Sequence, residues 1–235
     1  MSLHQVRLTA RRNASAGTKT FAFERPEGFA YLPGQFFYVS LPLGGAGDKP
    51  LIHHFTLSSS PTEDFLAFTT RMTGSEFKMT IDALDDGTVV NIDGPHGGFV
   101  LRQNMHSVAY ICGGIGITPV RSTLRWATDV DAQVDIVVLY ASHDLAGEAF
   151  RDELDSLRGP RRKVIEVFSE PPEGWNGATG HVDADLVRSC VSDWHGRFVF
   201  VSGPPGMVRS LAEMLAGDVG VRPGRLIVEE FPGYS

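Results

Sequence analysis

Cysteine is scarce: Cys112 and Cys190 are the only two among 235 residues. Two thiols make no disulfide framework, and they fall short of the four thiolates of the usual iron–sulfur cluster. Electron transfer through iron would need a second chain. The eight histidines show no metal-ligand spacing. His53 and His54 are adjacent, and neighbours in a strand face opposite ways, so no metal site is expected. Long apolar runs are missing too. None approaches the ~18 residues of a membrane span. The opening MSLHQVRLTARRN has no apolar stretch of the secretory type, so the expected compartment is the cytoplasm. Positive charge is short, with 21 Lys and Arg against 28 Asp and Glu and a net charge of −7. General nucleic-acid binding needs the opposite balance. The basic run Arg158 to Lys163 reads as a solvated turn.

What is present is a chain 42% hydrophobic, long enough for one large domain or two small ones. Its halves follow different grammars. Through residue 103, short alternating runs such as VRLTA, TKTFAFE, GQFFYVSLP, IHHFTLSSS and FLAFTTRM are bounded by Gly, Pro and Asp. That pattern predicts an antiparallel β-barrel. One segment departs from it: GSEFKMTIDAL sets Phe77, Ile81 and Leu84 at helical spacing, with Ser75 as N-cap. From 104 to 235 strands and helices alternate, which predicts a parallel sheet covered by helices on both faces. Here GEAFRDELDSL reads as a helix with Phe150, Leu154 and Leu157 on one face.

The first strand of this second half runs into CGGIGITPV. The loop lacks the Lys of a Walker A sequence, and Pro119 stands where a dinucleotide fingerprint has its third glycine. Gly113, Gly114 and Gly116 allow a tight turn and close approach of a ligand. Thr118 and Pro119 suit the N-cap and first turn of a helix whose N-terminus favours phosphate. A second loop, VSGPPGM at 201 to 207, falls at an equivalent strand end, the edge where such sheets bind ligands.

With that frame in place, the chain resembles the ferredoxin–NADP reductase superfamily of flavoprotein reductases. Seven segments carry the likeness, in the family's order: PGQF, HHFTLSSSP, GSEFK, GPHGGF, CGGIGITP, SGPPGM and EEFPGY. The resemblance implies an FAD-binding β-barrel domain (1–103) followed by an NAD(P)-binding α/β domain (104–235). It implies FAD rather than FMN, with NADH or NADPH as donor. His53, Phe55 and Thr56 would meet the flavin ring and its tail. Arg71, Gly74, Ser75 and Lys78 would serve its pyrophosphate. Gly113, Gly114, Gly116, Thr118, Gly203, Pro204 and Met207 would cradle the nicotinamide dinucleotide, and Ser142 and His143 would read its adenine ribose. Thr56, Ser202, Glu230 and Phe231 would stand at the reacting centre, Phe231 stacking on the flavin with Tyr234 as the other candidate ring. Three positions depart from the family: His53 replaces Arg, Phe55 replaces Tyr, and Ser202 replaces Cys. His53 supplies no guanidinium fork, and Ser202 is assigned positioning, not covalent chemistry. Asp144 beside His143 weighs toward NADH, with NADPH left open. The implied function is a flavin-dependent NAD(P)H reductase passing electrons to a separate acceptor, a ferredoxin or other iron–sulfur protein or a small molecule. The alternative is a flavin-binding electron-transfer or regulatory subunit without a substrate of its own.

Overall fold

Alternation builds the first half. In the computed structural model, which describes residues 3–41 and 49–232, six strands form an antiparallel sheet: β1 (Leu3–Ser15), β2 (Thr18–Glu24), β3 (Phe36–Leu41), β4 (Leu51–Thr56), β5 (Phe65–Arg71) and β6 (Val89–His96). Their order is β4-β3-β6-β1-β2-β5. Every second residue faces one core, so Leu8, Phe21, Phe23, Phe37, Val39, Phe68 and Ile92 are buried together. The sheet closes on itself where the N–H groups of Ser58 and Ser59, just past β4, donate to the Ala67 carbonyl at 2.8 and 3.4 Å. Helix α1 (Glu76–Ala83) follows β5 and packs Phe77 and Ile81 into the barrel. Ser75 is its N-cap by backbone geometry, although its hydroxyl makes no capping bond.

The second half is a parallel sheet of β7 (Ser107–Gly113), β8 (Asp135–Ser142), β9 (Arg162–Phe168), β10 (Ala178–Thr179), β11 (Phe198–Gly203) and β12 (Leu226–Glu230). Its order is β10-β9-β8-β7-β11-β12. Helices α2 (Thr118–Asp129), α3 (Arg151–Ser156), α4 (Ala184–Cys190) and α5 (Pro205–Met214) cover it. Burial on both faces explains the unbroken apolar runs. Val108, Tyr110, Ile136 and Val138 belong to one core, and Ala109, Ile111, Val137 and Leu139 to the other. Strand order reverses at β7, which opens a crevice at its carboxyl end.

Two local readings change. Phe150 does not begin a helix: it takes the left-handed conformation at φ 64°, and α3 starts one residue later. The Tyr140 hydroxyl accepts the Ala149 N–H at 3.0 Å, which holds the chain just before the helix. Strand β10 went unpredicted because two residues are too few to show alternation.

The barrel strands end at His96 and the parallel strands begin at Ser107, while Phe99 and Met105 between them already pack in the second core. Across the seam reaches Arg121 of α2, 8% exposed. Its Nη1 donates to the Ser58 carbonyl at 2.9 Å and pairs with Glu63, and its Nη2 pairs with Glu153. Beside it the Ser122 hydroxyl donates to the Ser59 carbonyl at 2.6 Å. No helix of the described residues is long and apolar enough to cross a membrane.

Candidate active site

The glycine loop closes more tightly than expected. Gly114–Ile117 form a single 3-10 turn that runs straight into α2. Gly114 supplies the positive φ, 52°. Gly116 supplies close approach: a Cβ there would collide with the Ser202 carbonyl and the Gly203 Cα. The thioether end of Met207 packs directly against Gly113 and Gly203. The helix cap is Ile117, not Thr118; Thr118 opens the helix and its hydroxyl donates to the Ile115 carbonyl at 3.0 Å. Ser202 also differs from expectation. It is 1% exposed and its Oγ donates to the Gly116 carbonyl at 2.7 Å, so the hydroxyl secures the loop and is not presented to a ligand. Pro204 caps α5, so the N-termini of α2 and α5 both sit at strand ends around this knot.

In front of the knot lies a cleft shared by the two sheets. His53, Phe55, Thr56, Thr118, Glu229 and Phe231 are among its lining residues. The Phe231 N–H donates to the Gly203 carbonyl at 2.9 Å, which fixes the aromatic residue over the end of β11. Tyr234 lies outside the described residues. Phe55 is a core ring: it stacks on Phe68 at 4.0 Å and on His53 at 4.9 Å. A planar ligand reaching Phe55 would therefore first displace the His53 imidazole. The enclosed space is about 40 Å³, little more than the ~30 Å³ share of one water. His53 and Phe231 are only partly buried, so side-chain rotation can widen it.

Both Glu229 and Glu230 border the cleft, and Glu229 is the more buried of the two. Burial raises its pKa to about 7, and its Oε2 is buried without a hydrogen-bond partner. Glu230, the carboxylate singled out from sequence, sits at the rim with Arg209 at 3.7 Å and is substantially exposed. Strand alternation sets the two on opposite faces, Glu230 with Leu226 and Val228 and Glu229 with Ile227; Leu226 and Ile227 each pack on a core.

The remaining predicted residues form two neighbouring groups. Gly74, at φ 60°, and Ser75 are exposed at the start of α1, with Arg71 exposed at the end of β5. Lys78 is buried, donates to the Thr73 hydroxyl at 3.2 Å, and has its pKa lowered by that burial. Phe77, 5.7 Å from the His53 ring, joins this group to the cleft. At the end of β8 the Ser142 hydroxyl donates to the Asp144 carbonyl at 3.0 Å. His143 is exposed between Asp144 and Glu170, each 3.3 Å away. The Gly147 N–H holds the Asp144 carboxyl below the usual range. Cys112 is fully buried and its thiol is pushed up by burial, so it offers no thiolate.

These features fit a flavin and a nicotinamide dinucleotide. A partnerless buried carboxyl oxygen awaits a donor, and two helix N-termini with side-chain-free glycine positions face the crevice. Residues 110–213 match the oxidoreductase NAD-binding domain family. The chain is 29% identical to ferredoxin–NADP reductase B of Sorangium cellulosum, covering 97% of each. It is 27% identical to the glycine betaine monooxygenase reductase subunit of Chromohalobacter salexigens over 90% of its own length, and spans 60% of that relative. Its fold is similar to that of a ferredoxin NADP+ reductase from Neisseria gonorrhoeae solved with FAD and NADP, with a TM-score of 0.83 at 16% identity, covering 98% and 99% of the two chains. Fold, motif order and these likenesses agree: the chain is similar to the ferredoxin–NADP reductase-like superfamily of flavin oxidoreductases.

Proposed function

We propose that this protein is an NAD(P)H reductase that binds FAD and passes electrons to a separate acceptor, a ferredoxin or other iron–sulfur protein or a small molecule. The observation that carries this reading is the shared cleft, where Phe231 and the buried Glu229 carboxyl from one sheet meet Thr56 and His53 from the other. When bound, the flavin supplies acceptance of hydride and release of electrons singly. The chain's own residues do the rest. The N-termini of α2 and α5 face the dinucleotide phosphates, and the start of α1 with Arg71 and Lys78 serves the flavin pyrophosphate. Glu229, beside Glu230, holds a proton or accepts a hydrogen bond at the reacting edge. Thr56 borders the ring. Phe231 covers it and swings aside for the nicotinamide. Ser202 keeps the glycine loop in place from behind.

The donor we favour is NADH. Two carboxylates flank His143, and a ribose 2′-phosphate there would meet their charge, whereas a 2′-hydroxyl would meet acceptors. A nicotinamide donor also accords with a cytoplasmic place. Two cysteines hold no four-thiolate cluster, which supports an acceptor centre outside these 235 residues. Steady-state turnover with ferricyanide tests the reading against a subunit lacking its own substrate. Turnover with kcat/KM at least tenfold higher for NADH than NADPH is expected. An FAD-loaded chain that turns over with neither donor favours the subunit reading, and a preference for NADPH overturns the role given to Asp144 and Glu170.

A further inference from the structure

Three rings stand in one column on the barrel side of the cleft. Phe68 stacks on Phe55 at 4.0 Å with the planes 9° apart, and Phe55 stacks on His53 at 4.9 Å and 24°. The Phe77 ring meets the His53 ring edge-on at 5.7 Å and the Phe55 ring at 5.3 Å. The column therefore ends at an imidazole. Phe68 is fully buried and Phe55 nearly so, while His53 is partly exposed and lines the cleft beside Phe55.

The other walls give little room. Thr56, Thr69 and Thr118 are buried, and the Phe231 backbone is tied to Gly203. The enclosed space of about 40 Å³ is far below the ~300–1,000 Å³ of ordinary ligand sites, so a three-ring isoalloxazine enters only after side chains move. His53 is laid across the aromatic face that such a ring would use. Its nitrogens are not set for a phosphate. Nδ1 lies 3.1 Å from the His54 carbonyl, which only accepts, so Nδ1 carries the hydrogen. That leaves Nε2, a lone-pair nitrogen in the neutral ring, with no N–H to offer an anion.

We infer that His53 is a built-in competitor for the flavin ring: in the flavin-free chain its imidazole holds the stacking place on Phe55, and flavin binding turns it out. The inference rests on the FAD reading proposed above and adds the sign of the residue's effect. His53 opposes flavin binding instead of gripping the flavin tail.

Calorimetric titration of the flavin-free full chain with FAD, and with riboflavin, which has the same ring and no phosphate, tests this. His53→Ala should bind both about two- to tenfold more tightly than the native chain, the range that an offset aromatic stack is worth. His53→Thr, with a side chain that suits a strand and is too short to stack, should do the same, and circular dichroism checks the fold of both. His53→Phe keeps a ring on Phe55 and should bind neither ligand more tightly. A grip on the phosphates predicts the opposite, weaker FAD binding in His53→Ala with riboflavin unchanged. That result overturns the inference. So does an affinity for FAD or riboflavin no higher in folded His53→Ala and His53→Thr than in the native chain, or equal tightening in His53→Phe. If neither the native chain nor any variant binds FAD, the FAD reading falls too; FAD binding of unchanged strength overturns the competitor role alone.

Discussion

Glu229 holds its proton longer than an unfolded glutamate does. Its folded-state pKa of about 7 stands above the ~4.3 of an unfolded chain. Between those values the folded form binds more protons, so the stability it gains is full below pH ~4.3 and is lost as pH rises through about 7. Glu148 is raised to about 7 by the same cause. Melting temperatures of native protein and Glu229→Gln, measured from pH 5 to 8.5, should therefore diverge, with the variant falling less steeply. Parallel curves would mean that Glu229 ionises freely. Phe231 makes a second prediction at this scale. Its backbone is tied to Gly203 while its ring lies in the cleft, so Phe231→Ser should leave folding stability within about 1 kcal/mol and tighten nicotinamide binding. Loss of an offset stack worth ~0.5–1.5 kcal/mol allows up to about tenfold. A variant that unfolds readily yet binds NADH as the native chain does would make Phe231 a core residue. Residue roles were the least legible part of the sequence. Motif order pointed to segments that line the cleft, around His53, Ile115 and Phe231, but only packing shows that Glu229 is more buried than Glu230 and that Ser202 and Phe55 pack inward.

At the scale of elements, the turn from β7 to α2 separates two uses of glycine. Gly114 needs its positive φ but has open space around it, whereas Gly116 is pressed against the Ser202 carbonyl. Gly114→Ala should cost about 1–2 kcal/mol of backbone strain. Gly116→Ala should cost a similar ~1–3 kcal/mol by overpacking, and it alone should loosen NADH binding, because it pushes β11 away from the loop. Urea unfolding with NADH titration of both variants checks this, and weaker NADH binding in Gly114→Ala alone would reverse the assignment. Elements with full alternation or helical spacing were readable because burial enforces the period. The start of α3 was not, because its limit is set by the Tyr140–Ala149 hydrogen bond, a contact nine residues apart that no periodicity encodes.

For the whole molecule, two sheets were legible from the change of grammar near residue 104, but the means of joining them was not. Nothing in the sequence around Arg121 marks it as a joint. In the fold it is buried between Glu63 of the barrel and Glu153 of α3. Arg121→Gln leaves two half-buried carboxylates without their cation and should cost about 1–3 kcal/mol, read by chemical denaturation. A cost under 1 kcal/mol would show that the seam is held by other contacts. The cleft exists only while that seam holds, since its walls come from both sheets. The most direct test of the account is the visible spectrum of the purified chain, incubated with excess FAD and desalted, before and after anaerobic NADH. The account predicts one flavin per chain, with its absorbance near 450 nm bleached by a single equivalent of NADH. A chain that retains no flavin, or retains it and is not reduced by either NADH or NADPH, would contradict it.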